Sequence, residues 1–181
     1  LYAALGPNAS AAVFATTPKN TRKVVLATNI AETSITIPGV RYVIDSGLVK
    51  EKIFSPLTSI ETLQVLPISQ SSSLQRAGRA GREAPGECYR LYTREAFQAL
   101  ETMPVAEIHR TELSGAVLQL YAMHLDPFTF DWIDPPNQAL LQEAVLHLAE
   151  LGAIQSPKDG IQLTPLGHQL ASLPVTPSYA R

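Results

Sequence analysis

Two short apolar runs decide the fold: KVVLATN at Lys23 to Asn29, and RYVID at Arg41 to Asp45. Val24, Val25 and Leu26 form an uninterrupted apolar stretch, the pattern of a strand covered on both faces in a parallel α/β sheet, and RYVID reads the same way. Between them lie Ile30 to Val40, IAETSITIPGV, too few residues for a full crossover helix with its loops. The link is therefore expected to be one helical turn or an irregular loop. Such a loop leaves the carboxyl end of a strand, the edge where open α/β sheets bind ligands.

Working outward, the segment from Leu48 to Ser69 holds two β-rich runs separated by SPLTS (Ser55 to Ser59), whose serines and proline mark a turn. A projecting hairpin is expected. Ser71, Ser72 and Ser73 then offer N-cap candidates for a helix running through Arg82, which Pro85 and Gly86 end. CYRLYT (Cys88 to Thr93) reads as the last strand, so the α/β part closes near residue 100 and its domain is placed at residues 1–105.

Beyond it the period changes from two to 3.6. Leu113, Val117, Leu120 and Tyr121 lie on one helical face, and Leu140, Leu141, Ala144, Val145, Leu148 and Leu151 form a second stripe, opened by Pro135 and Pro136 and closed by Gly152. Two short strands, AIQ and IQL, follow around SPKDG, and Thr164 can cap a helix with Pro165 at its first position. Helix, helix, hairpin, helix is the outline of a winged-helix domain, placed at residues 106–173. Thr176 and Pro177 repeat the cap-and-proline signal, so residues 174–181 are read as the start of a further, truncated helical domain. The fold class expected is α/β with a partial parallel sheet and a projecting hairpin, followed by a small, mainly helical winged-helix domain.

With 181 residues and 45% apolar content the chain can bury one good core or two small ones. A net charge of −2 argues against a protein that grips nucleic acid by bulk electrostatics. The average conceals a division, however: residues 1–94 carry 11 basic and 6 acidic side chains, net +5, and residues 95–181 carry 3 and 10, net −7. The first half can face polyanions; two domains with differently charged solvated faces would show the same asymmetry. The acidic winged helix is expected to serve a structural or linking role rather than to read DNA. The lone Cys88 can form no internal disulfide and favours a reducing compartment, so an intracellular site, nucleus or cytoplasm, is expected. No apolar run approaches the roughly 20 residues of a membrane span, and LYAALGPNAS at the start lacks both a Met and a charged signal-peptide region. A beginning inside a longer protein is expected.

QRAGRAGR, Gln75 to Arg82, carries the most chemistry. Spacings of four and three put Gln75, Arg79 and Arg82 on one face of the expected helix, two planar guanidiniums and an amide pointing the same way. Such forks of donors suit phosphate oxygens. A solvated basic face would need no glycine, yet Gly78 and Gly81 each cost about 1 kcal/mol relative to alanine in a helix interior. Close approach of some group to the backbone would account for them. ATNIAETSITIPG, Ala27 to Gly39, sets Thr28, Asn29, Thr33, Ser34 and Thr36 at the sheet's ligand edge, where they either bind a polar ligand or satisfy the loop's own backbone.

Together, TNIAETS and QRAGRAGR resemble motifs V and VI of the DEAH-box ATP-dependent RNA helicases of superfamily 2. The stretch from Val24 to Thr93 is similar to the second RecA-like domain of that family. PGECYRLYT, an acidic helix beginning near Glu107, and LTPLGHQLASLPVTP look like its winged-helix segment and the exit toward a helical ratchet domain. The resemblance implies that Gln75, Arg79 and Arg82 contact ATP phosphates, with Arg79 and Arg82 as arginine fingers. It implies that Thr28 and Asn29 hold the RNA backbone and that Ser34 and Thr36 lie where the loop senses the nucleotide, Thr36 on the ATP side. The hairpin from Leu48 to Leu66 would lie against the RNA path. One position departs: many members have an aspartate before the glycine of motif V, placed to reach the ribose, where this chain has Pro38, which offers no acceptor.

No GxxxxGK[ST] loop and no DEAH string occurs in the chain. The resemblance thus implies ATP with Mg²⁺ whose metal ligands sit on a first RecA-like lobe outside these residues. Its implied partners are RNA, that lobe and an activator protein, with no membrane. The fragment alone is expected not to hydrolyse ATP. A catalytically inactive RNA-binding adaptor derived from a helicase is the alternative, and an intact Walker A loop and DEAH box upstream would exclude it.

Overall fold

The computed structural model describes residues 1–155 and 160–180, without the side chains of 7–9 and 179–180. It divides into two compact units, the first made of residues 1–51 and 65–104 and the second of 52–64 and 105–181. The turn expected around SPKDG lies, from Ser156 to Asp159, outside the described residues. No helix among the described residues is long and apolar enough to cross a membrane.

In the first unit, helix α1 (Pro7–Phe14) precedes a two-stranded parallel sheet of β1 (Tyr42–Asp45) and β4 (Glu87–Arg90), in register from Tyr42 with Glu87 to Asp45 with Arg90. The expected strand at KVVLATN is absent: Val24 and Leu26 are 76% and 84% exposed and the backbone is irregular. A strand is defined by a ladder, and among the described residues this segment has none: Leu1 donates its amino group to the Leu26 carbonyl and accepts from the Thr28 N–H, and Lys23 Nζ donates to the Val13 and Ala15 carbonyls. RYVID does form β1, but it is covered on one face only. Tyr42 and Ile44 point to solvent while Asp45, 1% exposed, closes the buried face. The link between these segments is a single 3₁₀ turn, Asn29–Ala31, within an irregular loop.

The hairpin has β2 (Leu48–Ser55) and β3 (Ile60–Pro67) as its arms. Gly47 enters it with φ +75°, and a Cβ there would stand 2.7 Å from the Tyr92 ring, so only glycine fits. Helix α2 (Gln70–Gly78) is capped by Ser69, whose hydroxyl accepts from the Ser72 N–H, rather than by Ser71, Ser72 or Ser73. It also stops earlier than expected: Arg79 is the C-cap, and residues 79–84 continue as turn and bend. Gly78 and Gly81 carry the lowest helix propensity after proline. The chain then passes Gly86, where a Cβ would meet the Ala80 carbonyl oxygen at 2.2 Å and that of Arg41 at 2.5 Å. After β4 comes a short helix, α3 (Arg94–Gln98), capped by Thr93.

The second unit holds a conventional core. Helix α4 (Ser114–Ala122) buries Val117, Leu118, Leu120 and Tyr121, and α5 (Gln138–Glu150) buries Leu140, Leu141, Ala144 and Leu148. Phe54 from the hairpin joins this cluster. The acidic helix expected near Glu107 is one 3₁₀ turn, Glu107–His109, and the α-helix begins at Ser114. Asn137, not the proline pair, caps α5 by accepting from the Ala139 N–H. At its other end Gly152 (φ +70°) donates to the Ala149 carbonyl and Ala153 to that of Leu148, a Schellman closure. Strands β5 (Ile154–Gln155) and β6 (Gln162–Leu163) pair antiparallel. Helix α6 (Pro165–Ala171) starts at Thr164, which accepts from the Gly167 N–H at 3.0 Å, and α7 (Pro177–Ala180) follows.

Candidate nucleotide and RNA site

The site belongs to the first unit and is built on a buried polar network under α2. Asp45 ends β1 with its carboxylate inside. Its Oδ1 accepts from the Gly47 N–H at 3.0 Å and from Arg76 Nη1 at 2.8 Å, and its Oδ2 accepts from the Tyr92 hydroxyl at 2.8 Å. Burial pushes this carboxyl up, but the Gly47 amide, the Arg76 guanidinium and the Tyr92 hydroxyl together hold it below the ordinary value. Tyr92 is hydrogen-bonded in turn to Ser73 on α2 at 2.7 Å. Arg76 adds two further bonds, Nε to Glu32 Oε2 at 3.0 Å and Nη1 to the Leu48 carbonyl at 3.1 Å. Burial disfavours its charge, and the Asp45 and Glu32 carboxylates overcome that and raise its pKa.

On this base the two polar segments meet. Arg82 Nη1 donates to the Thr36 hydroxyl, the Gly39 N–H donates to Glu83 Oε2 at 2.9 Å, and Arg41 Nη1 donates to the Pro85 carbonyl at 3.0 Å. Arg79 is half-buried, and its Nη1 is shut off from water with no hydrogen-bond partner. A buried guanidinium nitrogen left unsatisfied costs free energy, and a ligand oxygen would remove that cost. Gln75 is exposed on α2. Because α2 ends at Gly78 with Arg79 as a helical C-cap, Gln75 and Arg79 keep helical spacing while the turn that follows carries Arg82 to the loop at Thr36.

Thr28, Asn29 and Ser34 are exposed, and among the described residues no hydrogen bond joins them to α2 or the turn behind it. The Ser34 hydroxyl lies 3.4 Å from that of Thr33. No three His, Cys, Asp or Glu gather to hold a metal ion among the described residues.

The chain is similar to proteins of known class. The helicase conserved C-terminal domain matches residues 1–84, and the helicase-associated HA2 winged-helix domain matches residues 144–175. ATP-dependent RNA helicase DHX33 of Mus musculus is 44% identical over all of the chain, which covers 26% of that protein. Pre-mRNA-splicing factor ATP-dependent RNA helicase DEAH10 of Arabidopsis thaliana is 46% identical, with all of the chain and 25% of the relative covered. The crystal structure of the Escherichia coli DEAH/RHA helicase HrpB superposes with a TM-score of 0.88 at 37% identity, over 99% of this chain and 23% of that one. This chain belongs to the DEAH-box helicases. It spans about a quarter of the length of these curated relatives.

Within this DEAH-box chain the glycines of QRAGRAGR take on a different meaning. A Cβ on Gly78 or Gly81 would meet nothing within 4 Å, so among the described residues no packed neighbour requires glycine there. Their effect inside the DEAH-box chain is to end α2. Sequence reasoning missed Arg76, Glu32, Asp45, Tyr92 and Glu83. One signal for Asp45 was present: a carboxylate ending an apolar strand needs a buried partner.

Proposed function

We propose that this chain is the second RecA-like lobe and winged helix of an ATP-dependent RNA helicase that translocates on and unwinds or remodels RNA or ribonucleoprotein. The observation that carries the reading is the pairing of Arg82 with Thr36 beside an Arg79 whose buried Nη1 lacks a partner. The domains are assigned as residues 1–105 for the partial RecA-like lobe, 106–173 for the winged helix and 174–181 for the start of a helical domain.

In this reading Gln75, Arg79, Arg82 and Thr36 meet the phosphates of ATP held on a first lobe. Arg79 and Arg82 stabilise charge on the transferred phosphoryl group, as planar fixed donors aimed at phosphate oxygens do. The residues present suit that role, since Arg79 brings an unsatisfied donor and Thr36 holds Arg82 until a phosphate competes for it. The carboxylates expected on the first lobe would hold Mg²⁺, which would neutralise phosphate charge when bound. Thr28 and Asn29, exposed where the 3₁₀ turn begins, hold the RNA backbone, and Ser34 lies in the loop that couples the two ligands. RNA, the first lobe and an activator protein are the proposed partners, in an intracellular setting.

The test is steady-state ATP hydrolysis by a polypeptide that joins this chain to a Walker-A-bearing lobe. Arg79→Ala is expected to lower turnover by about 10³ to 10⁵, the range for arginine fingers. Wild-type turnover in that variant would sink the assignment.

A further inference from the structure

Four contacts run in chain order between the loop after Thr28 and the segment that carries the arginines: Glu32 with Arg76, Thr36 with Arg82, Gly39 with Glu83, and Arg41 with Pro85. The last three are open to water, where an ion pair or hydrogen bond exchanges readily with solvent and contributes little. The first is shielded: the side chains of Arg76 and Glu32 are 15% and 11% exposed. It is also the one contact whose cation is tied elsewhere. The same planar guanidinium that bonds Glu32 through Nε bonds Asp45 through Nη1, and Asp45 is fixed in turn by Gly47 and Tyr92. A rigid fork cannot follow Glu32 without straining its bond to Asp45. Arg76 lies on α2 directly after Gln75 and one turn before Arg79.

We propose that Arg76 is a positioning residue, whose guanidinium carries the state of the loop from Asn29 to Thr36 into the segment that presents Gln75 and Arg79. This rests on the reading of that loop as RNA-facing and of the arginines as phosphate-facing. RNA that shifts Glu32 shifts Arg76, and through it the start of the turn bearing Arg79. The three exposed contacts let the outer part of the loop move while Glu32 transmits.

The experiment measures ATP hydrolysis by the two-lobed polypeptide with and without single-stranded RNA, for wild type, Glu32→Gln, Arg76→Lys and the double variant. Glu32→Gln keeps the shape and an acceptor and leaves the Arg76–Asp45 pair whole, so it tests the idea even where Arg76→Lys fails to fold. Glu32→Gln is expected to lower the RNA-stimulated kcat relative to the RNA-free kcat by about tenfold, as a lost site-to-site coupling does, with the KM for ATP changed by less than about twofold. The double variant should be no worse than Arg76→Lys alone, because Glu32→Gln cuts only a link that Arg76→Lys already disturbs. A merely structural contact would depress stimulated and unstimulated rates together, and that outcome overturns the proposal. So does a wild-type ratio in Glu32→Gln. If Arg79→Ala abolishes turnover in the same preparation, the arginine assignment survives such a failure; if it does not, that assignment falls first.

Discussion

Asp45 is the residue on which the first unit's polar interior turns. It accepts three hydrogen bonds while 1% exposed, so its ionised form is stabilised by Gly47, Tyr92 and Arg76 against the cost of burial. A folded-state pKa below the unfolded value makes a contribution to stability that is complete above the unfolded pKa and is lost as pH falls through the folded one. Unfolding midpoints measured in denaturant from about pH 6 down to about pH 2 should therefore fall on the acid side of the usual carboxylate range, near 4. Asp45→Asn should flatten that fall; an unchanged acid limb in Asp45→Asn would remove Asp45 as its source. Arg76→Ala is the harsher change. It strands a buried carboxylate and is expected to destabilise by about 3–5 kcal/mol, in denaturant titration, as breaking a buried pair does.

At the scale of elements, the apolar stripes of α4 and α5 and the caps of α6 were legible, and the ends of α2 were not. Thr164 and Pro165 announce α6, and the structure has Thr164 accepting from the Gly167 N–H while its own hydroxyl donates to the Gly152 carbonyl at 2.7 Å. Thr164→Ala should cost about 1 kcal/mol. Gly167→Ala should cost on the order of 3 kcal/mol, because the added Cβ would stand 2.0 Å from the Ala153 carbonyl oxygen, where backbone cannot yield cheaply. The ordering of these two losses, read from thermal or denaturant unfolding, checks both. Gly167 had no sequence signal, since its constraint is the Ala153 carbonyl, just before β5, lying against α6. The same limit misplaced the end of α2: spacing alone ran the helix to Arg82, but propensity at Gly78 and the pull of Thr36 on Arg82 end it early.

For the whole molecule, the division of charge and the division of chemistry run together. The basic half, residues 1–94, contains both polar segments, and the acidic half contains the packed core of α4, α5 and α6. In isolation the 181 residues are expected to release phosphate from ATP no faster than buffer, because no GxxxxGK[ST] loop is present to cradle it. Phosphate release above that rate which Arg79→Ala abolishes would overturn the two-lobe reading. The runs KVVLATN and RYVID show how far the one-dimensional pattern reaches. Both are equally apolar, yet only RYVID forms a strand, because β4 lies beside it to complete a ladder.

Local chemistry was determined by the chain's own order of residues: the 3₁₀ turn between two β-rich runs, the hairpin around SPLTS, the caps at Thr164 and Gly152, and the family to which TNIAETS and QRAGRAGR point. These depend on backbone dihedrals and hydrogen bonds within a few residues, which side-chain type decides. Only the tertiary structure decided that Arg76 joins Glu32 to Asp45, that Arg82 reaches Thr36 and that Arg79 keeps a buried nitrogen unpaired. Those partners are separated by 31 to 46 residues, and which of several arginines turns inward depends on where a carboxylate has been buried, a consequence of packing that residue spacing does not encode.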